Sequence, residues 1–177
     1  MTDADVDARA DAMLHEERVR ADRVLSLLLC AHLPFAVAVA ALHGTWVLVA
    51  IVAPMLSLIP FAVTRTRPGT LVSRLVVGAA FMGYSMLLIQ ESHGAIEMHF
   101  HVFAALAFLL LYRDWRVPVV SGALVAVHHL IFELLQSGGA GVWVFPHTYH
   151  GVAGLATVAV QEQEGQRGKD VEMHLDR

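Results

Sequence analysis

The sequence predicts an all-α membrane protein, a six-transmembrane-helix bundle with both termini in the cytoplasm, and three observations carry that prediction. The 177 residues are 56% hydrophobic and only 16% Asp, Glu, Lys or Arg, with a mean hydropathy of +0.59. That is more apolar surface than one soluble core can hide. Six stretches approach the roughly 20 mostly apolar residues that cross a bilayer at about 1.5 Å per residue. All 12 basic residues fall on one side of the topology those stretches define.

Residues 1–23 are rich in Asp, Ala and Arg and include Arg9, Arg18, Arg20 and Arg23. They lack the apolar core of a cleavable signal peptide, so they read as a cytoplasmic segment and span one, 24–43, as a signal anchor. Span two covers 46–63 and span three 71–90, with Arg65, Arg67 and Arg74 around the turn between them. Span four, 94–112, is joined to span five, 115–135, by a short turn flanked by Arg113 and Arg116. Span six, 142–160, leads to a polar tail, 161–177, with Arg167, Lys169 and Arg177. Lys and Arg accumulate in cytoplasmic loops, and the three opposite loops contain none. A transmembrane domain over 24–160 follows, with the lipid bilayer as its first partner. Pro34, Pro54 and Pro60 are expected to kink or open their helices. Pro118 sits in a first turn, where a missing N–H is harmless. Gly78 with Gly83 reads as close helix packing.

Composition also excludes. A single Cys rules out a disulfide framework and any Cys-rich zinc or iron–sulfur site. A net charge of -4 with a pI near 6.2 offers no basic surface to nucleic acid.

The 11 histidines are the anomaly, because imidazole is costly in hydrocarbon without a partner. Glu97 and His101 are four residues apart on one helix face, as are His129 and Glu133. Antiparallel neighbours facing each other would set Glu97 and Glu133 at one level, with His101 and His129 about a turn deeper. His147 and His150 open span six on one face, and His32 adds an imidazole from span one. Carboxylate and imidazole repeated on facing helices is how bundles build di-metal sites, and nitrogen and oxygen donors favour zinc, copper, iron or manganese. The expected metal ligands are therefore His101, His129, Glu97, Glu133 and His150, with His32, His99, His128 and His147 as weaker candidates. The plainer alternatives are a polar packing network for the intramembrane histidines and a helix–helix hydrogen bond for His32. On the same plain reading His15 and His174 are solvent-exposed, His43 and His93 interfacial, and Glu91 a solvated loop acid.

The runs Glu97-Met-His-Phe-His-Val-Phe103, Leu111-Tyr-Arg-Asp-Trp-Arg116 and Ala126-Val-His-His-Leu130 resemble the histidine-rich multi-helix membrane module at the N-terminus of bacterial chemoreceptors, diguanylate cyclases and sensor kinases. The resemblance spans roughly helices three to six and implies a sensory input module, with His99, His101, His128 and His129 at the matching positions. It is similar in logic to the Met-His-Tyr-Thr type of six-helix sensor, whose four-residue motif is absent here. The resembled module leads into a coiled coil and an output domain, whereas 17 residues follow span six. The expectation is an input fragment, or a chain that signals through a homodimer or another partner protein. Three alternatives stay open: haem b on two axial histidines, an intramembrane di-metal oxidoreductase, and a transporter using the polar cluster as its pathway.

Overall fold

The computed structural model describes residues 2–146, and over them the chain is helical with short connections. Helix α1 is Asp3–His43, α2 Trp46–Thr66, α3 Leu71–Glu91, α4 Ile96–Leu109 continuing into a single tight turn at Leu110–Tyr112, and α5 Arg116–Ser137. Four of them, α1, α2, α3 and α5, are long and apolar enough to cross a membrane; Ile96–Tyr112 is a shorter apolar helix. Each expected span from one to five coincides with a helix, and the helix ends differ by a few residues.

Two boundaries differ in kind. Helix α1 is 41 residues long and runs unbroken across residue 23. It begins with a capping box in which Thr2 Oγ1 accepts from Asp5 N–H and Asp5 returns the bond to Thr2 N–H. Residues 142–146, expected to open span six, are irregular. Two glutamines take the place of helical hydrogen bonds there: Gln90 Oε1 accepts from Trp143 N–H at 2.8 Å, and Gln136 Oε1 accepts from Val144 N–H at 2.8 Å. Gln136 Nε2 also donates to the Phe145 carbonyl at 2.8 Å. The remainder of that span, with His147 and His150, lies outside the described residues.

Connections of two to four residues force α1 to α5 into antiparallel neighbours. Gly44, at φ 75° with its N–H on the Ala40 carbonyl, closes α1 in the left-handed conformation that glycine adopts without steric cost. Helix α3 is the centre, packed against α1, α2, α4 and α5. Its small residues make this possible. A Cβ on Gly78 would lie 2.5 Å from Ser121 Oγ of α5, and one on Gly83 2.5 Å from Leu56 Cδ2 of α2. Both glycines therefore do what their sequence reading expects, which is to let helices approach. Pro34, Pro54 and Pro60 lie inside continuous helices, and Pro118 in the first turn of α5.

The two ends of the bundle differ in charge. The α2–α3 turn, the α4–α5 turn and α1 near Asp22 meet at one end, together with Arg18, Arg23, Arg65, Arg74 and Arg113. The α1–α2 turn, the α3–α4 turn and residues 143–145 meet at the other. The charge segregation read from the sequence is thus a segregation in space.

Candidate functional site

His32 of α1, His99 and His101 of α4, and His128 and His129 of α5 separate into two groups on opposite faces of α4. His99 and His101 are two residues apart, about 200° around a helix, so they cannot face one partner. His101 turns toward α1 and α3, and His99 toward α5.

In the first group each ring nitrogen has a partner. His32 Nδ1 sits 2.6 Å from the Leu28 carbonyl, an acceptor, so Nδ1 carries the proton and Nε2 of the neutral ring accepts. His101 Nε2–H must then donate across the 2.9 Å gap to His32 Nε2. That leaves His101 Nδ1 to accept from Ser85 O–H at 2.8 Å. The His32 ring also lies edge-on to Phe81, centroids 5.5 Å apart. This closed chain ties α1, α4 and α3 together. It realises the helix–helix hydrogen bond that was the plain reading of His32. Two Nε2 atoms on one tetrahedral ion stand about 3.3 Å apart; at 2.9 Å, with His32 Nδ1 committed to the Leu28 carbonyl, the pair is a hydrogen bond.

The second group is open. His99 Nδ1 donates to the Ala95 carbonyl at 3.2 Å and His129 Nδ1 to the Val125 carbonyl at 3.0 Å. Each bond fixes the neutral tautomer whose Nε2 lone pair is free. The rings of His99 and His129 are 5.5 Å apart, and those of His129 and His128 5.6 Å. His99 Nε2 and His128 Nδ1 are buried with no hydrogen-bond partner among the described residues. Two orphaned imidazole nitrogens, each on a ring that contacts His129, are exceptional, since buried polar atoms are almost always satisfied. Phe145 stacks on His99 with ring planes 2° apart and centroids 5.5 Å apart. Its backbone crosses α3–α4 so closely that a Cβ on Gly94 would lie 2.5 Å from the Phe145 carbonyl carbon.

The carboxylates join neither group by a hydrogen bond. Glu97 is exposed at the start of α4, and Glu133 is half-buried one turn beyond His129. Among the described residues no three His, Cys, Asp or Glu side chains converge to hold a metal ion. Glu91, read as a solvated loop acid, is instead fully buried. Its Oε1 accepts from Thr45 Oγ1 at 3.2 Å while Oε2 has no partner among the described residues. The rings of His43 and His93 lie tilted against each other, centroids 5.8 Å apart.

Sequence reasoning missed a polar knot at the basic end. Asp22, 1% exposed, accepts from Gly69 N–H at 2.6 Å, Ser73 Oγ at 2.9 Å and Tyr112 Oη at 2.7 Å. Beside it Arg74 and Asp114 form a buried ion pair at 2.7 Å. At the surface Arg113 pairs with Glu17 at 2.8 Å, and the hydrogen bond to Glu17 holds the guanidinium above its ordinary range. Arg113 itself is left-handed, φ 49°, at the turn of the Tyr-Arg-Asp-Trp run. Asp22, Leu25, Ser26 and Leu29 fall on one buried stripe, so helical spacing could have shown that this carboxylate faces inward.

No family model matches the chain. No solved structure matches it either. A curated protein that does match is "Transducer protein Htr8" of Halobacterium salinarum (strain ATCC 29341 / DSM 671 / R1), 31% identical over 62 residues, 35% of this chain and 10% of that protein. The chain thus matches about a tenth of the length of that relative. The likeness links it to a transducer protein and does not extend to a histidine-rich module.

Proposed function

We propose that the chain is the input module of a bacterial inner-membrane sensory protein, six helices with both termini cytoplasmic, in which His99, His129 and His128 hold a transition-metal centre. His147 and His150, two and five residues beyond Phe145 in the sequence, complete the donor set. The carrying observation is His99 Nε2, buried and unpartnered on a ring whose other nitrogen is committed to a backbone carbonyl. A buried lone pair in that state is a ligand without its Lewis acid.

The residues fit such a group. Ala95 and Val125 carbonyls hold His99 and His129 in the tautomer that coordinates through Nε2, and Phe145 and Phe132 wall the site with apolar surface. When bound, zinc, copper, iron or manganese would supply a Lewis-acidic centre that is itself the signal or that binds a small molecule such as oxygen. Helix α4 would carry the consequence, because His101 on its far face is hydrogen-bonded to His32 of α1. A change at the α4–α5 face therefore reaches α1, the helix that runs on past the basic end. Coupling of this kind needs only that two arrangements of α4 differ in their affinity for the ligand. The similarity to a transducer protein supports the sensory reading, and a homodimer or a separate signalling partner would receive the output.

The test is elemental analysis with an ultraviolet–visible spectrum on detergent-purified full-length chain. Stoichiometric metal lost in His99→Ala and His129→Ala, and kept in His32→Ala, is the expected result. Metal lost in His32→Ala but kept in His99→Ala would move the centre to the other face of α4. A Soret band would replace the ion with haem b, and wild-type protein free of metal would leave the histidines as packing.

A further inference from the structure

At the basic end, α1 and α2 diverge around a cavity of about 370 Å³. Its walls are apolar, from Leu27 and Phe61 among others, and its rim carries two arginines, Arg23 and Arg65, one from each helix. The floor is polar but saturated. Ser26 Oγ donates to the Asp22 carbonyl at 2.6 Å and shares a 2.9 Å contact with Thr64 Oγ1, which also bonds the Phe61 carbonyl at 3.1 Å.

Neither arginine is balanced. Among the described residues the ion pairs are Arg74–Asp114 and Arg113–Glu17, and neither Arg23 nor Arg65 takes part. Asp22, adjacent to Arg23 in the sequence, commits its carboxylate to Gly69, Ser73 and Tyr112. Arg65 lies 4.7 Å over the Phe61 ring, a placement that orients its guanidinium while leaving its donors free. No Asp or Glu lines the cavity.

We infer that this cavity binds the phosphate headgroup of an anionic phospholipid, clasped between Arg23 and Arg65. Guanidinium groups present paired donors that match phosphate oxygens, and basic pockets between helices at the cytoplasmic surface suit acidic headgroups. The apolar part selects a lipid over free phosphate. Leu27, 66% exposed, and Leu58, 64% exposed, continue the cavity wall along the outer surfaces of α1 and α2. An acyl chain attached to the bound phosphate would run over them toward the middle of the bilayer. The inference is independent of the metal centre, which lies toward the opposite end of the bundle.

The experiment is native mass spectrometry of the full-length chain in neutral detergent, titrated with phosphatidylglycerol, phosphatidylcholine and inorganic phosphate. One phosphatidylglycerol per chain is expected, with phosphatidylcholine at least tenfold weaker and inorganic phosphate unable to displace the lipid at equal concentration. Each arginine should contribute about fivefold, so Arg23→Gln with Arg65→Gln should weaken binding about 25-fold. Arg113→Gln with Arg116→Gln removes equal charge from the same end and should change it less than twofold. Leu27→Trp fills the cavity with both arginines intact and should block binding, which keeps the test decisive if the arginine variant misfolds. Equal loss in both arginine pairs, equal affinity for phosphatidylcholine, displacement by inorganic phosphate, or full binding by Leu27→Trp would each overturn the assignment.

Discussion

Replacing Asp22 tests how the first helix is fastened to the rest of the bundle. The carboxylate receives three donors, but they are not equivalent. Ser73 Oγ has the Thr70 carbonyl at 2.9 Å as a second acceptor, whereas Gly69 N–H and Tyr112 O–H have no other acceptor among the described residues. Asp22→Ala therefore strands two buried donors at about 1–3 kcal/mol each, or about 4 kcal/mol. Release of the carboxylate's own desolvation offsets part of this. Asp22→Asn keeps one oxygen and sets an amide N–H against either Gly69 or Tyr112, so about 2 kcal/mol is expected. Tyr112→Phe removes a hydrogen bond to a charged acceptor, again about 2 kcal/mol. In the Asp22→Ala background the same change should cost almost nothing, because the phenol has already lost its acceptor. A double-mutant cycle should thus show coupling of at least about 1 kcal/mol. The assay is unfolding of the detergent-solubilised chain by sodium dodecyl sulfate, followed by helicity and tryptophan fluorescence. Asp22→Asn within about 0.5 kcal/mol of wild type, together with additive behaviour of the two sites, would refute the account of the knot.

Gly78→Ala should destabilise by about 1–3 kcal/mol through overpacking against Ser121, and Ser121→Ala in the same chain should recover most of it by removing the crowding Oγ; the same titration reads both. His32→Ala leaves His101 Nε2–H without an acceptor and should cost about 1–3 kcal/mol, while His32→Gln, which restores an acceptor, should cost less. Asp5 is held below the usual carboxylate range mainly by its hydrogen bond from Thr2 N–H. Because the folded-state value is depressed, its cap is intact above the ordinary value of 3.8 and is lost as pH falls through the folded-state value. Protection of the first-turn amides of α1, taken relative to their intrinsic exchange rates at each pH, should accordingly fall below that pH in wild type and stay level in Asp5→Asn.

Helices α1 to α5, four of them long and apolar enough to cross a membrane, were legible because lipid and charge impose simple rules: length, apolar content and the side on which arginines collect. The exception proves instructive in α3. Arg74, Gly78, Tyr84 and Ser85 made it one of the less apolar spans, and the reason is that it is covered by protein rather than lipid, with Arg74 6% exposed and Tyr84 and Ser85 wholly buried. The histidines were legible as a set but not as a site. Spacing fixes which residues share a face of one helix, yet not the rotation of that helix against its neighbours. Facing Glu97 and His101 toward α5 was as consistent with spacing as the observed arrangement, which faces His99 there and His101 toward His32. Asp22 was hidden by its company, since Arg20 and Arg23 flank it and a charged run reads as solvated. The irregular course of 142–146 was not legible because two glutamine side chains, 53 and eight residues away from their backbone partners, supply hydrogen bonds that no local pattern announces.

The unbroken course of α1 gives the bundle a lever arm. From Asp3 to the Asp22 knot is 20 residues of continuous helix, about 30 Å at 1.5 Å per residue. With Asp22 as the fulcrum, tilting α1 by about 5° inside the bundle displaces its far end by about 2.5 Å. A rearrangement at His32 too small to disturb the packing of Leu25 and Leu29 would thus emerge, amplified, as a movement a partner surface could distinguish. The direction of that swing is set by which contact yields first, the His32–His101 hydrogen bond above the fulcrum or the Glu17–Arg113 pair below it.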